Sequence, residues 1–170
     1  MDAEDAHPAE CRIPTLADVV ALCRAMNEQG AKYLLVGGWA VMQHGHLRTT
    51  GDIDLLVEDS RENQARTFRA LETLPDKAIL EFGDDDLRDY VVLRVADDVL
   101  VDVMTQACGI AYAEASESVV IVEIEGVPIP FATAELLLRM KQTVRDKDAA
   151  DRAFLEAKLR GEDVSHWTGD

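Results

Sequence analysis

The distribution of apolar and polar residues predicts that the chain opens with an amphipathic helix. Apolar side chains recur at helical spacing from Leu16 to Met26, which is the pattern of a helix that buries one face. Thr15 precedes this run, and Asp18 stands where the partner of a capping box is expected. Gly30 lies where a helix commonly ends in a left-handed residue. The pattern therefore predicts a helix that starts after Thr15 and ends before Gly30.

Short apolar runs bounded by glycine or acidic residues predict the strands of a sheet. The predicted strands are Tyr33–Val36, Ile53–Val57, Tyr90–Val95, Val99–Met104, Val119–Ile124 and Val127–Ile129. Asp97-Asp98 separates the third strand from the fourth, and Glu125-Gly126 separates the fifth from the sixth. Both dipeptides are typical of tight turns, so we expect two hairpins.

Further helices are expected over 39–44, from 60 to about 74, and in two pieces from 133 to about 160. Ser60 caps the second of them, and Gly45 ends the first. Helices and strands alternate at first, and helices follow the last strands. This order predicts an α/β or α+β domain with a mixed central sheet flanked by helices, and with C-terminal helices.

No repeat and no linker rich in glycine, serine or proline divides the chain. We therefore expect a single domain over 13–162, an acidic disordered tail over 1–12 and a second tail over 163–170. The first tail is not a secretory signal, and no apolar run approaches the roughly 20 residues that span a bilayer. Three widely separated cysteines support neither disulfides nor a zinc site, which favours a cytoplasmic protein.

The charge of the chain changes this picture, because 17 basic and 33 acidic residues give a net charge of −16. Such a charge argues against nucleic acid as a partner, since phosphate backbones are bound by positive surfaces. Most of these carboxylates are expected simply to keep the protein soluble. A polyanionic ligand would require a metal ion or a local group of basic residues.

Two short motifs suggest more specific chemistry. Gly37-Gly38 ends a predicted strand and leads into a helix, so backbone amides there could approach a phosphate closely, although a plain turn explains the glycines equally well. Asp52 and Asp54 stand two positions apart on a strand, so their side chains point the same way, roughly 6–7 Å apart. A divalent cation between them would relieve their repulsion, and oxygen ligands suit Mg²⁺. Two solvated acids at the mouth of a strand are the alternative.

Asp102 interrupts the apolar run Val99–Met104. An unpaired charge inside a central strand would be costly, so such a residue usually belongs to a site or to an exposed edge. If its strand lies beside the strand of Asp52 and Asp54, three carboxylates converge on one face of the sheet. That arrangement suits metal-assisted phosphoryl transfer, in which Asp102 could also accept the proton of an attacking hydroxyl.

Together these motifs resemble those of small bacterial nucleotidyltransferases of the DNA-polymerase-β-like superfamily. The stretch LLVGGWAVMQHGHLRTTGDIDLLV (34–57) is similar to the family pattern of strand, Gly-Gly or Gly-Ser, short helix and Arg-x-Thr-x-Asp-Ile-Asp-Leu. VLVDVM (99–104) resembles the strand that supplies the third carboxylate. The likeness extends over roughly residues 30–160. The subgroup includes lincosamide-type antibiotic-resistance enzymes and the toxins of abortive-infection toxin–antitoxin pairs.

The resemblance implies a role for each matching residue. Asp52, Asp54 and Asp102 would be catalytic and would bind Mg²⁺, with Mn²⁺ as an alternative ion. Nucleotide binding is implied for a second set: Gly37, Gly38, Arg48, Thr50, Lys141 and Arg145. Of these, Lys141 would neutralise phosphate charge, and Arg145 is a weaker match for the same task. The alternative for this pair is a solvated helix face shared with Asp148.

The function expected from this reasoning is the transfer of a nucleoside monophosphate from a nucleoside triphosphate to a hydroxyl, with release of pyrophosphate. The acceptor could be a small molecule, a protein or RNA, and the charge favours a small molecule. A non-catalytic module of the same fold, such as a toxin–antitoxin component, is the alternative. A homodimer or a partner protein could complete the acceptor pocket. His44 and His46 lack metal-ligand partners and are expected to contact nucleotide or substrate from a loop.

Overall fold

The computed structural model describes residues 11–142 and 146–167, with side chains up to 142 and from 148 onward. The strands are β1 Tyr33–Val36, β2 Asp52–Val57, β3 Val92–Ala96, β4 Leu100–Met104, β5 Gln106–Ala107, β6 Ile110–Ala111, β7 Val119–Ile124 and β8 Val127–Ala132. The helices are α1 Leu16–Glu28, α2 Gly37–Gln43, α3 Arg61–Leu71, α4 Asp86–Asp89, α5 Tyr112–Ala115, α6 Ala134–Met140 and α7 Asp146–Leu159. A 3-10 turn covers Ala78–Glu81.

Within the described residues the main sheet has six strands in the order β3-β4-β2-β1-β8-β7, and β5 and β6 form a separate hairpin. β2 runs parallel to β4 and β1 runs parallel to β8, while the other neighbours are antiparallel. The predicted mixed sheet flanked by helices is therefore confirmed, and so are both predicted hairpins.

The central strands of this sheet are apolar because both of their faces are covered. All four residues of β1 are buried, and in β2 the side chains of Ile53, Leu55 and Val57 are fully buried. The first two of them alternate with Asp52 and Asp54, which are half-buried on the opposite face. α1 packs on α3 and β8, while α6 packs on α7 and α2. In the part of the chain that the structure describes, no helix is long and apolar enough to cross a membrane.

Several predicted boundaries shift by a few residues. The helix predicted over 39–44 starts at Gly37, and the one predicted to reach about Leu74 ends at Leu71. The strand predicted to end at Ile129 continues to Ala132 despite its prolines. Proline is tolerated where a strand does not need its N–H, and β8 meets β1 in register at Leu35–Phe131, beyond both prolines.

Arg12 fastens the start of the described chain to the domain. Its guanidinium donates to both carboxylate oxygens of Asp18 at 2.6 Å, and its Nε lies 2.8 Å from Asp98. Asp18 also accepts from the Thr15 amide at 2.7 Å, which completes the predicted capping box. Hydrogen bonding from Arg12 lowers the pKa of Asp18 to about 2. Residues 1–10 and 168–170 lie outside the described residues.

We expect Arg12→Ala to raise the pKa of Asp18 from about 2 toward its usual value of about 3.9. Since the folded-state pKa of Asp18 is depressed, its contribution to stability is present above the unfolded-state pKa and is lost as the pH falls through the folded-state value. Carboxyl carbon NMR of Asp18 measures the titration directly. Arg160→Ala, which removes the exposed partner of Glu162, is the control and should leave the Asp18 midpoint unchanged. A wild-type midpoint near 4 would contradict the assignment.

Candidate active site

The parallel pairing of β2 and β4 brings three carboxylates together. Asp54 lies directly across from Asp102 in this register, and Asp52 points to the same side from two residues earlier. One carboxylate oxygen from each of the three residues lies within 4.8 Å of the other two. The neighbouring strands that the three-carboxylate hypothesis required are thus present.

The electrostatics of this cluster favour a cation. Asp102 is 5% exposed, and its burial raises the pKa of its carboxyl, an effect that Arg94 opposes and Asp52 reinforces. Three converging carboxylates repel one another when ionised, and each offers a hard oxygen ligand. This donor set fits Mg²⁺ or Mn²⁺, which bind carboxylate oxygens and retain open positions for phosphate.

The two glycines that follow β1 leave room for side chains of the site. Gly37 has a φ of +67°, and a Cβ atom at this position would overlap the carboxylate of Asp54. A Cβ atom at Gly38 would lie 2.6 Å from Oγ1 of Thr50 and 2.9 Å from Nη2 of Arg48. The serine that the resembled family often carries at the second position would not fit here without movement of those neighbours.

A cavity of about 470 Å³ opens over the carboxylates. Such a volume is within the range of small-molecule sites. Its polar wall contains the three aspartates together with Arg48, Thr50, Arg94 and Lys141. Apolar side chains, among them Val91, Val92 and Met104, form another part of its wall. Thr50 donates its hydroxyl to the backbone carbonyl and the carboxylate of Asp52, each at 3.3 Å, and so steadies the loop before β2.

Two basic residues of the cavity wall form ion pairs with buried acids of α7. Nζ of Lys141 lies 3.2 Å from Asp148 Oδ1 and 3.3 Å from Asp151 Oδ2. Nε of Arg48 lies 3.0 Å from Asp151 Oδ1, and its Nη2 donates to Oδ2 at 3.1 Å. Both acids are fully buried. These ion pairs fix where Arg48 and Lys141 present positive charge, because a buried carboxylate is stable only while its partners remain in place.

The solvated helix face proposed as an alternative for Lys141 is wrong, since this residue is 7% exposed and paired with buried acids. It follows the last residue of α6, Met140, as the C-cap of that helix. Arg145 lies outside the described residues, and its predicted role remains a prediction.

The expectation that His44 and His46 contact the ligand from a loop receives no support from their surroundings. Nε2 of His44 lies 2.8 Å from the carbonyl of Ala132, a distance at which the ring donates. The ring of His46 is 1% exposed and stacks on Phe154 at 4.7 Å. Its Nδ1 lies 3.2 Å from Asp151. Both side chains therefore hold the C-terminal helix and β8 against the core, and neither lines the cavity.

Two charged residues of this region were not predicted. Arg94 pairs with Asp102 through two contacts, Nε to Oδ1 at 3.0 Å and Nη2 to Oδ2 at 3.1 Å. Asp151 is the buried partner of Arg48 and Lys141. The alternation of apolar and polar residues in β3 could have indicated that Arg94 points away from the core, because Leu93 and Val95 on either side of it face the core. No local pattern distinguishes Asp151 from the other acids of its helix.

The likeness of this mixed sheet and its helices to a solved structure gives the class of the fold, which is nucleotidyltransferase-like. The fold is similar to the crystal structure of a Thermotoga maritima protein whose description as a nucleotidyltransferase is itself provisional. The two share a TM-score of 0.54 and 14% sequence identity, over 91% of this chain and 97% of the other. At this identity the likeness concerns the fold alone. The sequence matches no protein-family model and no curated protein.

Proposed function

We propose that this protein transfers a nucleoside monophosphate from a nucleoside triphosphate to a hydroxyl group and releases pyrophosphate. The observation that carries the proposal is the convergence of Asp52, Asp54 and Asp102 within 4.8 Å on the wall of a cavity of about 470 Å³. Phosphoryl transfer depends mainly on positioning the reacting groups and on compensating the negative charge of the phosphates. Acidic side chains contribute to both when they hold a metal ion.

In this proposal, Asp52, Asp54 and Asp102 hold Mg²⁺, for which Mn²⁺ can substitute. The bound ion would supply Lewis-acid compensation of the charge on the phosphate oxygens. Asp102 accepts the proton of the acceptor hydroxyl. A bond forms between the acceptor oxygen and the α-phosphorus, the bond from that phosphorus to the bridging oxygen breaks, and pyrophosphate leaves.

The remaining polar residues of the cavity serve to position the triphosphate. Arg48 and Lys141 face the cavity with their charged groups fixed by Asp151, so they meet the phosphates without first having to be ordered. Gly37 and Gly38 also line the cavity, where their backbone amides add donors for the phosphates. In a chain of net charge −16, these local cations would help the metal ion to offset the charge of a polyanion.

For the acceptor we propose a small hydroxyl compound, with an aminoglycoside or a lincosamide as the first compounds to screen. The negative charge of the protein attracts a cationic acceptor and repels nucleic acid. Apolar residues of the cavity wall, including Val92 and Met104, can cover a nonpolar part of the acceptor or the base. A second subunit or a partner protein could complete this part of the site.

The test is calorimetric titration of MgATP and MgGTP into the wild type and into Asp52→Ala/Asp54→Ala. We expect metal-dependent triphosphate binding by the wild type and its loss in the double variant, because two of the three oxygen ligands are gone. Asp84→Ala/Asp85→Ala removes the same charge at two exposed positions and should bind like the wild type.

Absence of binding by the folded wild type with either Mg²⁺ or Mn²⁺ would overturn the proposed enzyme. It would favour a non-catalytic module of the same fold, such as one component of a toxin–antitoxin pair. Binding that survives in the double variant would place the triphosphate elsewhere on the protein. Once binding is established, release of pyrophosphate in the presence of candidate acceptors identifies the acceptor.

A further inference from the structure

Arg94 is hydrogen-bonded to Asp102, the third carboxylate of the cluster. It stands opposite Asp102 in the β3–β4 register, and its guanidinium engages both carboxylate oxygens in the fork geometry that makes arginine–carboxylate pairs strong. The hydrogen bonds to Asp102 raise the pKa of the Arg94 guanidinium, and the nearby charges of Asp52 and Asp54 act in the same direction. The positively charged guanidinium of Arg94 therefore acts on all three carboxylates.

The side chain of Arg94 is accessible from the cavity. The side chain of Arg94 is 48% exposed, whereas that of Asp102 is 6% exposed, and Arg94 lines the cavity. The guanidinium can therefore leave the carboxylate toward the cavity without crossing packed side chains. Lys141 differs in this respect, because its side chain is 9% exposed and is held by two buried acids.

We propose that Arg94 is a positioning residue that competes with the divalent metal for Asp102 and makes metal binding depend on the triphosphate. Without nucleotide, Arg94 neutralises Asp102, keeps the three carboxylates together and weakens binding of the free ion. When a triphosphate enters the cavity, its oxygens offer the guanidinium an alternative bidentate partner, and Asp102 becomes available to the ion. This inference rests on the proposed function, because it assumes that the carboxylates bind metal.

The competition is tested by titrating Mn²⁺ alone into the wild type and into Arg94→Gln, with electron paramagnetic resonance of the free ion as the readout. We expect Arg94→Gln to lower the Mn²⁺ dissociation constant by about tenfold or more, because it removes a unit charge within contact distance of a ligand. Arg94→Lys keeps the charge but not the fork, so its affinity should fall between those of Arg94→Gln and the wild type. The melting temperature of metal-free Arg94→Gln should fall and should recover with Mn²⁺.

Arg160→Gln is the matched control. Arg160 and Glu162 make the same two-contact pair, with both distances 3.1 Å, at exposed positions away from the cavity, so its loss should not change Mn²⁺ affinity. Addition of a non-hydrolysable triphosphate should shrink the difference between the wild type and Arg94→Gln.

Two results would overturn the inference, and they are distinguishable. If the wild type binds Mn²⁺ and neither Arg94 variant binds it more tightly than Arg160→Gln, Arg94 does not compete and the proposed function stands. If no folded variant binds Mn²⁺, with or without triphosphate, both the inference and the proposed metal site fail.

Discussion

Gly37→Ala is expected to weaken Mn²⁺ binding by about 10–100-fold, the range typical of mutations at the outer-shell residues that orient metal ligands. The physical reason is steric, because a Cβ atom at this position would overlap the carboxylate of Asp54. Asp54 must then turn away from Asp102, and the cluster loses its geometry. The positive φ of Gly37 adds a backbone cost of about 1–2 kcal/mol for any L side chain.

Gly126→Ala separates these two effects. Gly126 has a φ of +80° in the β7–β8 turn, and apart from its chain neighbours no atom of the described residues lies within 4 Å of the Cβ that alanine would add. This control should therefore lose about 1–2 kcal/mol of unfolding free energy and keep wild-type Mn²⁺ affinity. Urea unfolding and Mn²⁺ titration of both variants measure the two quantities. Wild-type metal affinity in folded Gly37→Ala would show that Asp54 is not a ligand or that its contact with Gly37 is easily relieved.

Asp151→Asn is expected to have the largest effect on stability, with a loss of about 3–5 kcal/mol of unfolding free energy. The carboxylate of Asp151 is fully buried and lies within 3.3 Å of charged groups of Arg48 and Lys141. An amide keeps the shape of the side chain but leaves the buried cations with one negative charge fewer. Removal of one member of a buried charge network is costly because the remaining charges stay desolvated.

The consequence should extend to the cavity, because Asp151 is the acid that pairs with both cations there. We expect triphosphate affinity to fall in Asp151→Asn, while Mn²⁺ affinity in the absence of triphosphate remains near that of the wild type. Asp85→Asn, at an exposed residue 3.8 Å from Arg61, is the control and should change stability by less than about 1 kcal/mol. Chemical unfolding and calorimetry distinguish the two variants. Equal stability of the two would contradict the assigned network.

Features that depend on local sequence were predictable. Apolar runs located the six strands of the main sheet in the described chain, and β1 has the predicted bounds Tyr33–Val36. Alternation along β2 placed Asp52 and Asp54 on one face, as the structure does. The capping residue Ser60 accepts a hydrogen bond from the Asn63 amide at 3.1 Å, at the predicted helix start. Each of these features depends on residues that are close to one another in the sequence, within one element or at its boundary.

The pairing of Arg94 with Asp102 required the register of a hairpin. A two-residue turn at Asp97-Asp98 would place Arg94 opposite Val101, on the other face of the sheet, because side chains alternate along a strand. In the structure Ala96 pairs with Leu100, which brings Arg94 opposite Asp102. The carboxylate of Asp97 accepts from the amides of Asp76 and Ala78 at 2.9 Å each. The hairpin turn is therefore bound to the loop at residues 76–78, and its register depends on that tertiary contact as well as on the turn sequence.

The network behind the cavity was decided by tertiary packing alone. Arg48 and Asp151 are 103 positions apart, and they meet because α7 packs on α6, which in turn packs on α2. Alternation, capping and turn propensity act over a few residues, so the sequence by itself determined the elements, the fold class and the acidic pair of β2. Which long-range charges face one another depends on how the helices dock, and the close packing of their side chains decides that only in the folded chain.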